Sequence, residues 1–161
     1  MKPYKISTAF IKAQTPGLTI NQLTRFYYAE LEKQNVSSII TASGAHTLDF
    51  TNDNLKLVFN RYANKFSCFS KGRIEIVDEG TEFAIYLNAD TRRIFVNAAI
   101  YGAVSQLLML ILVRFELFLL FIGPAFFAAG IISQLIWLSG FFPVYFIRLR
   151  NDIERVLQRG W

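Results

Sequence analysis

Residues 94–147 read IFVNAAIYGAVSQLLMLILVRFELFLLFIGPAFFAAGIISQLIWLSGFFPVYFI, with Arg114 and Glu116 as the only charged side chains. An apolar helix of about 20 residues crosses the roughly 30 Å hydrocarbon core of a bilayer, so this run has room for two spans. The overall mean hydropathy of +0.31 is high for a soluble domain. The sequence therefore predicts a transmembrane helical hairpin over residues 94–147.

The two charges indicate where the hairpin turns. A charge at the centre of a spanning helix costs about 2.5–3.5 kcal/mol, so Arg114 and Glu116 are expected where the chain returns to water. The spans then cover roughly residues 94–113 and 117–141. Trp137 and Tyr145 fall towards a membrane interface in this arrangement.

The alternative turn is Gly123-Pro124, because glycine commonly ends a helix and proline commonly begins one. Spans near 99–122 and 124–147 would then bury both charges. Arg114 and Glu116 would become candidate functional charges that pair with another subunit or line an ion path.

Small and amide side chains mark a predicted contact between the two spans. Small residues let helix backbones approach closely, and glutamine hydrogen-bonds across helix interfaces in membranes. The predicted interface residues are Gly102, Ser105, Gln106, Ala129, Ser133 and Gln134.

The net charge of +5 belongs to the flanks of the apolar run. Up to Asp90 the chain has ten basic and nine acidic residues, whereas from Thr91 onward it has seven arginines and three acidic residues. Arginines precede and follow the run, so the positive-inside rule predicts cytoplasmic N- and C-termini. The near-neutral N-terminal part argues against a nucleic-acid footprint.

Residues 148–161 predict a basic amphipathic tail helix. Leu149, Ile153 and Val156 recur at helical spacing, and Arg148 and Arg155 lie on the other side. Such a helix either lies along an anionic leaflet or docks on the soluble domain, and the sequence leaves both alternatives open.

Residues 1–93 predict a cytoplasmic α+β domain in the order β-α-β-β-β-β, with one helix on a small antiparallel sheet. Residues 18–35 predict the helix, with Thr19 as its N-cap. Short alternating runs separated by turn signals predict the strands. These runs are KPYKISTAFIKA before the helix, and VSSIITAS, HTLDFTN, LKLVFNRY, FSCFS, GRIEIVDEG and EFAIYLN after it.

The sequence predicts no catalytic, cofactor or metal site. His46 and Cys68 are the only histidine and cysteine, so a Cys/His zinc site cannot be built within one chain. We interpret His46 as a loop or strand-edge residue and Cys68 as a small core or sheet-face residue. The acidic run VDEGTE at residues 77–82 is interpreted as a charged turn.

Two functions fit these patterns. The first is a non-enzymatic, membrane-anchored interaction or scaffolding module, with the lipid bilayer and a membrane protein or second copy as partners. The alternative is an accessory subunit of a membrane enzyme or transporter that uses Arg114 and Glu116 within the bilayer. The absence of a signal-like N-terminus leads us to expect a bacterial inner membrane.

Overall fold

The structure of the chain is a computed structural model that describes residues 3–34, 36–43, 45–52, 65–112 and 121–158. It is an α+β protein with an antiparallel sheet and several helices. The elements, in chain order, are β1 (Tyr4–Ile11), α1 (Ile20–Lys33), β2 (Ser37–Ser43), β3 (Ala45–Thr51), β4 (Lys71–Asp78), β5 (Glu82–Asp90), α2 (Arg93–Leu112), α3 (Ile122–Ile136) and α4 (Phe142–Gln158).

Helix α1 begins where the sequence predicts it. Thr19 is the N-cap, and its side chain accepts a hydrogen bond from the Gln22 backbone while the Gln22 side chain accepts one from the Thr19 backbone. This reciprocal arrangement satisfies two amide groups that the helix cannot pair internally. Leu23, Tyr27 and Leu31 lie on one face at spacings of four and are buried against the sheet.

The five strands form one antiparallel sheet in the order β1-β5-β4-β3-β2. Strands β2 to β5 are a meander, and β1 pairs with the last strand of that meander, Tyr4 opposite Ala89 and Ile11 opposite Glu82. Because α1 follows β1, it must carry the chain across the sheet to the far edge, where β2 begins. The crossing places α1 over one face.

Within the described residues, one predicted strand differs from the structure. FSCFS was expected to be a strand, and that prediction is wrong: residues 65–70 form a turn and bend that bury Phe66, Cys68 and Phe69. The buried aromatic rings, rather than a strand register, account for its alternation. The run LKLVFNRY lies outside the described residues.

Helix α4 completes the core of the sheet domain. Phe142 and Phe146 are fully buried, and Ile153 is nearly so, in the same apolar cluster as Tyr27, Leu48 and Ile74. The Phe142 ring meets the Phe69 ring edge-on at 4.9 Å between centroids. Of the two alternatives for the tail, the structure therefore has the one in which it docks on the sheet domain. The helix is continuous across residue 147, where the sequence predicts a boundary.

Helices α3 and α4 join through five residues, Trp137–Phe141, in π-helical geometry. The buried positions step by four residues through this joint: Gln134, Leu138, Phe142 and Phe146. In a regular α-helix, the 12 residues from Gln134 to Phe146 would turn the last side chain by about 120° relative to the first. A π-turn absorbs one extra residue, which reduces that drift to about 20°. The buried side therefore stays on one side of the helix.

The surface of α2 and α3 away from their mutual contact is largely apolar and exposed. Within the described residues, Arg93–Ile111 and Ile122–Val156 are long and apolar enough to cross a membrane by length and composition. Ile111 and Phe121 show this most clearly, with 71% and 70% of their surface exposed.

Candidate functional site

Helices α2 and α3 pack tightly through glycine and alanine. A Cβ atom added to Gly102 would lie 2.9 Å from the carbonyl oxygen of Gly123, and one added to Gly130 would lie 3.2 Å from the Cα of Ala98. Such distances leave no room for a larger side chain at either glycine. The two backbones approach as closely as small residues allow.

Two glutamines bond across this helix pair. Gln106 Oε1 on α2 accepts a 2.7 Å hydrogen bond from the Gly123 amide at the start of α3. At the other end, Gln134 Nε2 donates to the carbonyl of Ile94 at 3.4 Å, and Gln134 Oε1 accepts from Asn97 Nδ2 at 3.3 Å. Glutamine side chains thus contact the opposite helix near both ends of the described contact.

The other predicted interface residues differ in how exposed they are. Ser105 and Ser133 are half-buried. Ala129 is exposed, and it is Gly130 that meets α2, because the contacting stripe runs through Gly123, Phe127 and Gly130. Arg114 and Glu116 lie outside the described residues, so their role stays a prediction. Gly123 and Pro124, the alternative turn, lie in the first turn of α3.

The junction between the helices and the sheet domain is polar and buried. Asn97 Nδ2 also donates to the carbonyl of Ser67 at 3.4 Å, so one amide connects α2 to Gln134 and to the turn at residues 65–70. Asn97 and Gln134 are 4% and 1% exposed. Sequence reasoning missed Asn97; its signal was an amide four residues into an apolar run, where an unpaired polar group is costly.

Two tyrosines attach the C-terminal helices to the domain. The Tyr4 hydroxyl donates to the carbonyl of Leu138 at 3.2 Å, within the π-helical segment. The Tyr145 hydroxyl donates to Glu30 Oε1 of α1 at 2.8 Å. Tyr145, expected at a membrane interface, therefore contacts the protein instead. These bonds, together with the shared core, make the sheet and the C-terminal helices one packed unit.

The acidic run at residues 77–82 forms the β4–β5 turn. Gly80 has a positive φ of 85°, and its amide donates to Asp78 Oδ1 at 2.8 Å. Lys12 Nζ lies 2.6 Å from the same oxygen, and this hydrogen bond holds the pKa of Asp78 below its usual value. Across the described ranges, no group of three or more His, Cys, Asp or Glu side chains is placed to hold a metal ion.

The face of the sheet opposite α1 and α4 carries polar side chains in cross-strand rows. In one row, Lys5, Asn88, Arg73 and Asp49 stand on β1, β5, β4 and β3. The next row has Ser7, Tyr86, Glu75 and Thr47 on the same strands. Arg73 forms a two-pronged ion pair with Asp49, at 2.6 and 3.0 Å. We call these eight residues, of which Thr47 is buried, the open face.

Comparisons with protein-family models, with curated proteins and with solved structures find no match to this chain.

Proposed function

We propose that this protein is a membrane-anchored interaction module. Helices α2 and α3 form a hairpin in the bilayer, and the sheet domain presents its open face to a protein partner. The observation that supports this most is the continuity of α3 with α4: one helix is apolar and exposed at its first end, and at its other end it contributes Phe142 and Phe146 to the core of the domain.

The helix register supports a turn inside residues 113–121. Ile94 contacts Gln134, Ala98 contacts Gly130, and Gln106 contacts Gly123. As the residue number rises along α2, the number of the contacting residue on α3 falls by a comparable amount, as in two antiparallel helices. Continued at this rate, the helices meet midway between Gln106 and Gly123, near residue 114, which is where the charge-cost argument puts the turn.

The packing also supports a topology with both ends on the same side. The N-terminal sheet and α4 share one core, so a membrane cannot pass between them. The chain must then cross the bilayer an even number of times between Asp90 and Phe142. Arginines at both flanks favour the cytoplasmic side, and a bacterial inner membrane is our proposed location.

The open face is the surface we assign to the partner. Its central residue, Tyr86, is 41% exposed and donates a 2.8 Å hydrogen bond to Glu79. Tyrosine on a rigid sheet supplies contact area at low entropic cost, and tyrosine is enriched among residues that dominate interfaces. The mixed charges of the surrounding rows suit a polar protein surface better than a lipid surface.

Site-specific cross-linking tests the proposal. A photoreactive residue at Asn88, beside Tyr86 on β5, should cross-link to one defined membrane protein or to a second copy of the chain. The same residue at Glu32, exposed on α1, is the matched control. Cross-links at both sites, or at Glu32 alone, would contradict the assignment of the open face.

A loss-of-binding variant completes the test. The double substitution Tyr86→Ala with Asn88→Ala should abolish co-purification of the cross-linked protein in mild detergent. Both side chains are exposed, so the unfolding temperature of the sheet domain should change little. Unchanged co-purification would mean that the partner binds elsewhere.

A further inference from the structure

A basic groove lies where the sheet domain meets α2. The groove has a volume of about 360 Å³ and is lined by residues from the start of β4, the end of β5 and the first turns of α2. These residues are Ser70, Lys71, Asp90, Arg92, Arg93, Val96 and Asn97. We refer to it as the junction groove.

Charge in the junction groove is predominantly positive. Among the described residues that line the groove, Lys71, Arg92 and Arg93 are basic and Asp90 is acidic. Asp90 is already engaged: its Oδ1 accepts the Arg92 amide at 2.9 Å, and its Oδ2 lies 3.5 Å from Arg92 Nε. The Arg92 side chain is nevertheless 78% exposed, and Lys71 has no ion pair within the part of the chain that the structure describes. The exposed ammonium of Lys71 and the exposed guanidinium of Arg92, beside one carboxylate, favour an anionic ligand.

An exposed apolar track begins at the edge of the groove. Val96 lines the groove and is itself exposed; Val104, Leu107 and Ile111 continue the same side of α2. At 100° per residue these four side chains lie within about 80° of one another. The track is about 22 Å long, more than the roughly 15 Å depth of one leaflet. A ligand with a charged head and a long apolar tail matches both parts.

We propose that the junction groove binds the phosphate headgroup of an anionic glycerophospholipid. The lipid phosphate lies between Lys71 and Arg92, and an acyl chain lies along the track from Val96 to Ile111. The proposal rests on the membrane location under "Proposed function". Beyond that location, the proposal specifies the class of lipid that binds and the residues that select it.

The test compares two lipids that differ in headgroup charge. The full chain, purified in mild detergent, is titrated with dioleoylphosphatidylglycerol and with dioleoylphosphatidylcholine, and binding is followed by native mass spectrometry and by thermal unfolding. The parent should bind the anionic lipid more tightly by a factor of ten or more. Each basic side chain near an anionic lipid contributes a factor of about five, so Lys71→Gln with Arg92→Gln should weaken anionic-lipid binding about 25-fold. Binding of the zwitterionic lipid should weaken much less, because its choline cation offsets the charge of its phosphate.

Two control variants make the result specific. Arg92→Lys keeps the charge and should keep the preference. Arg155→Gln removes an exposed arginine of α4 outside the groove and should also keep it. All variants should unfold at the parent's temperature without added lipid, since the substituted side chains are exposed.

Three results would overturn the headgroup assignment. They are equal affinity of the parent for both lipids, unchanged preference in the double variant, and an equal thermal shift with inorganic phosphate alone. Failure of the proposed function would appear separately, as release of the full chain from membranes by alkaline carbonate. A chain that stays in the membrane and binds both lipids equally contradicts only the site proposed here.

Discussion

The hydroxyl of Tyr145 donates a 2.8 Å hydrogen bond to Glu30, a residue 115 positions earlier in the chain. The bond joins α4 to α1, and helices α2 and α3 lie between its partners in the sequence. Beside it, the Phe146 and Tyr27 rings lie 6.0 Å apart. The helix that follows the apolar run is therefore fixed to the helix that precedes it.

Accessibility of engineered cysteines should follow from this attachment. With Cys68 replaced by alanine, single cysteines at Lys71 and Arg155 should both resist an impermeant thiol reagent in intact cells, and both should react once the cells are permeabilised. Both positions belong to one packed unit on the cytoplasmic side in the proposed topology. Labelling of only one in intact cells would separate the sheet from α4 and refute the shared core.

Adjacent phenylalanines at the start of α4 offer a matched pair for stability. Phe142 is fully buried and Phe141 is 59% exposed. Phe142→Ala should lower the free energy of unfolding by about 3–5 kcal/mol, because it leaves a cavity in the core of the sheet domain. Phe141→Ala should cost about 1 kcal/mol or less. Near-UV circular dichroism during denaturant unfolding in detergent measures both, and similar losses would mean that α4 does not pack as described.

Two helical glycines should respond oppositely to the addition of a methyl group. Gly102→Ala would place its Cβ 2.9 Å from the Gly123 carbonyl, so the helix pair must shift, at a cost of about 1–3 kcal/mol. At Gly140 nothing lies within 4 Å of the added atom, and Gly140→Ala should be neutral or stabilising by up to about 1 kcal/mol. Thermal unfolding in detergent ranks the two variants against the parent. An unaffected Gly102→Ala would show a looser contact between α2 and α3.

The Asn97–Gln134 pair should behave as a coupled unit. Gln134→Leu removes the acceptor for Asn97 and leaves a buried amide group without that bond, at a cost of about 1–3 kcal/mol. Adding Asn97→Leu should restore part of the loss, because both polar groups are then gone. The double-mutant cycle measured by unfolding reports the interaction energy directly. Strictly additive losses would argue that the two amides act independently.

Asp78 should give the sheet domain a defined response to acid. The Lys12 ammonium holds the pKa of Asp78 below its usual value of about 4, so the carboxylate stabilises the folded state above that value. This contribution should be lost as the pH falls through the lowered pKa. Lys12→Gln should raise the Asp78 pKa towards its usual value, although the Gly80 amide retains part of the shift. Carboxyl NMR titration measures the effect, with Lys33→Gln as the control that leaves Asp78 unchanged.

Local signals in the sequence predicted much of the sheet domain. The Thr19 cap and the alternating strands depend on nearby residues, and such patterns can be read without the fold. The docking of α4 could not be read in this way, because Phe142 and Phe146 lie in a run that is apolar all round. A lipid-facing phenylalanine and a core phenylalanine have the same sequence signal. Only the surface that meets the residue distinguishes them.

The sequence predicted the residues of the contact between α2 and α3 only in part, for a similar reason. Alanines and glycines occur on several sides of α2 and α3, so the phase of the contacting stripe was not determined by composition. Gly130 rather than Ala129 lies against α2, which is a difference of one residue and about 100°. Glutamines predicted the contact better than alanines and glycines did, because a buried glutamine requires a hydrogen-bond partner wherever it lies.

The π-helical joint at Trp137–Phe141 also restricts the number of residues that can connect α3 to α4. Deletion of Gly140 would let the helix revert to regular α geometry with its buried positions still aligned, whereas insertion of one residue would rotate the far half by about 100°. Phe142 and Phe146 would then point away from the sheet. The joint therefore tolerates shortening by one residue but not lengthening, and the orientation of the sheet domain relative to α2 and α3 depends on the number of residues in the joint.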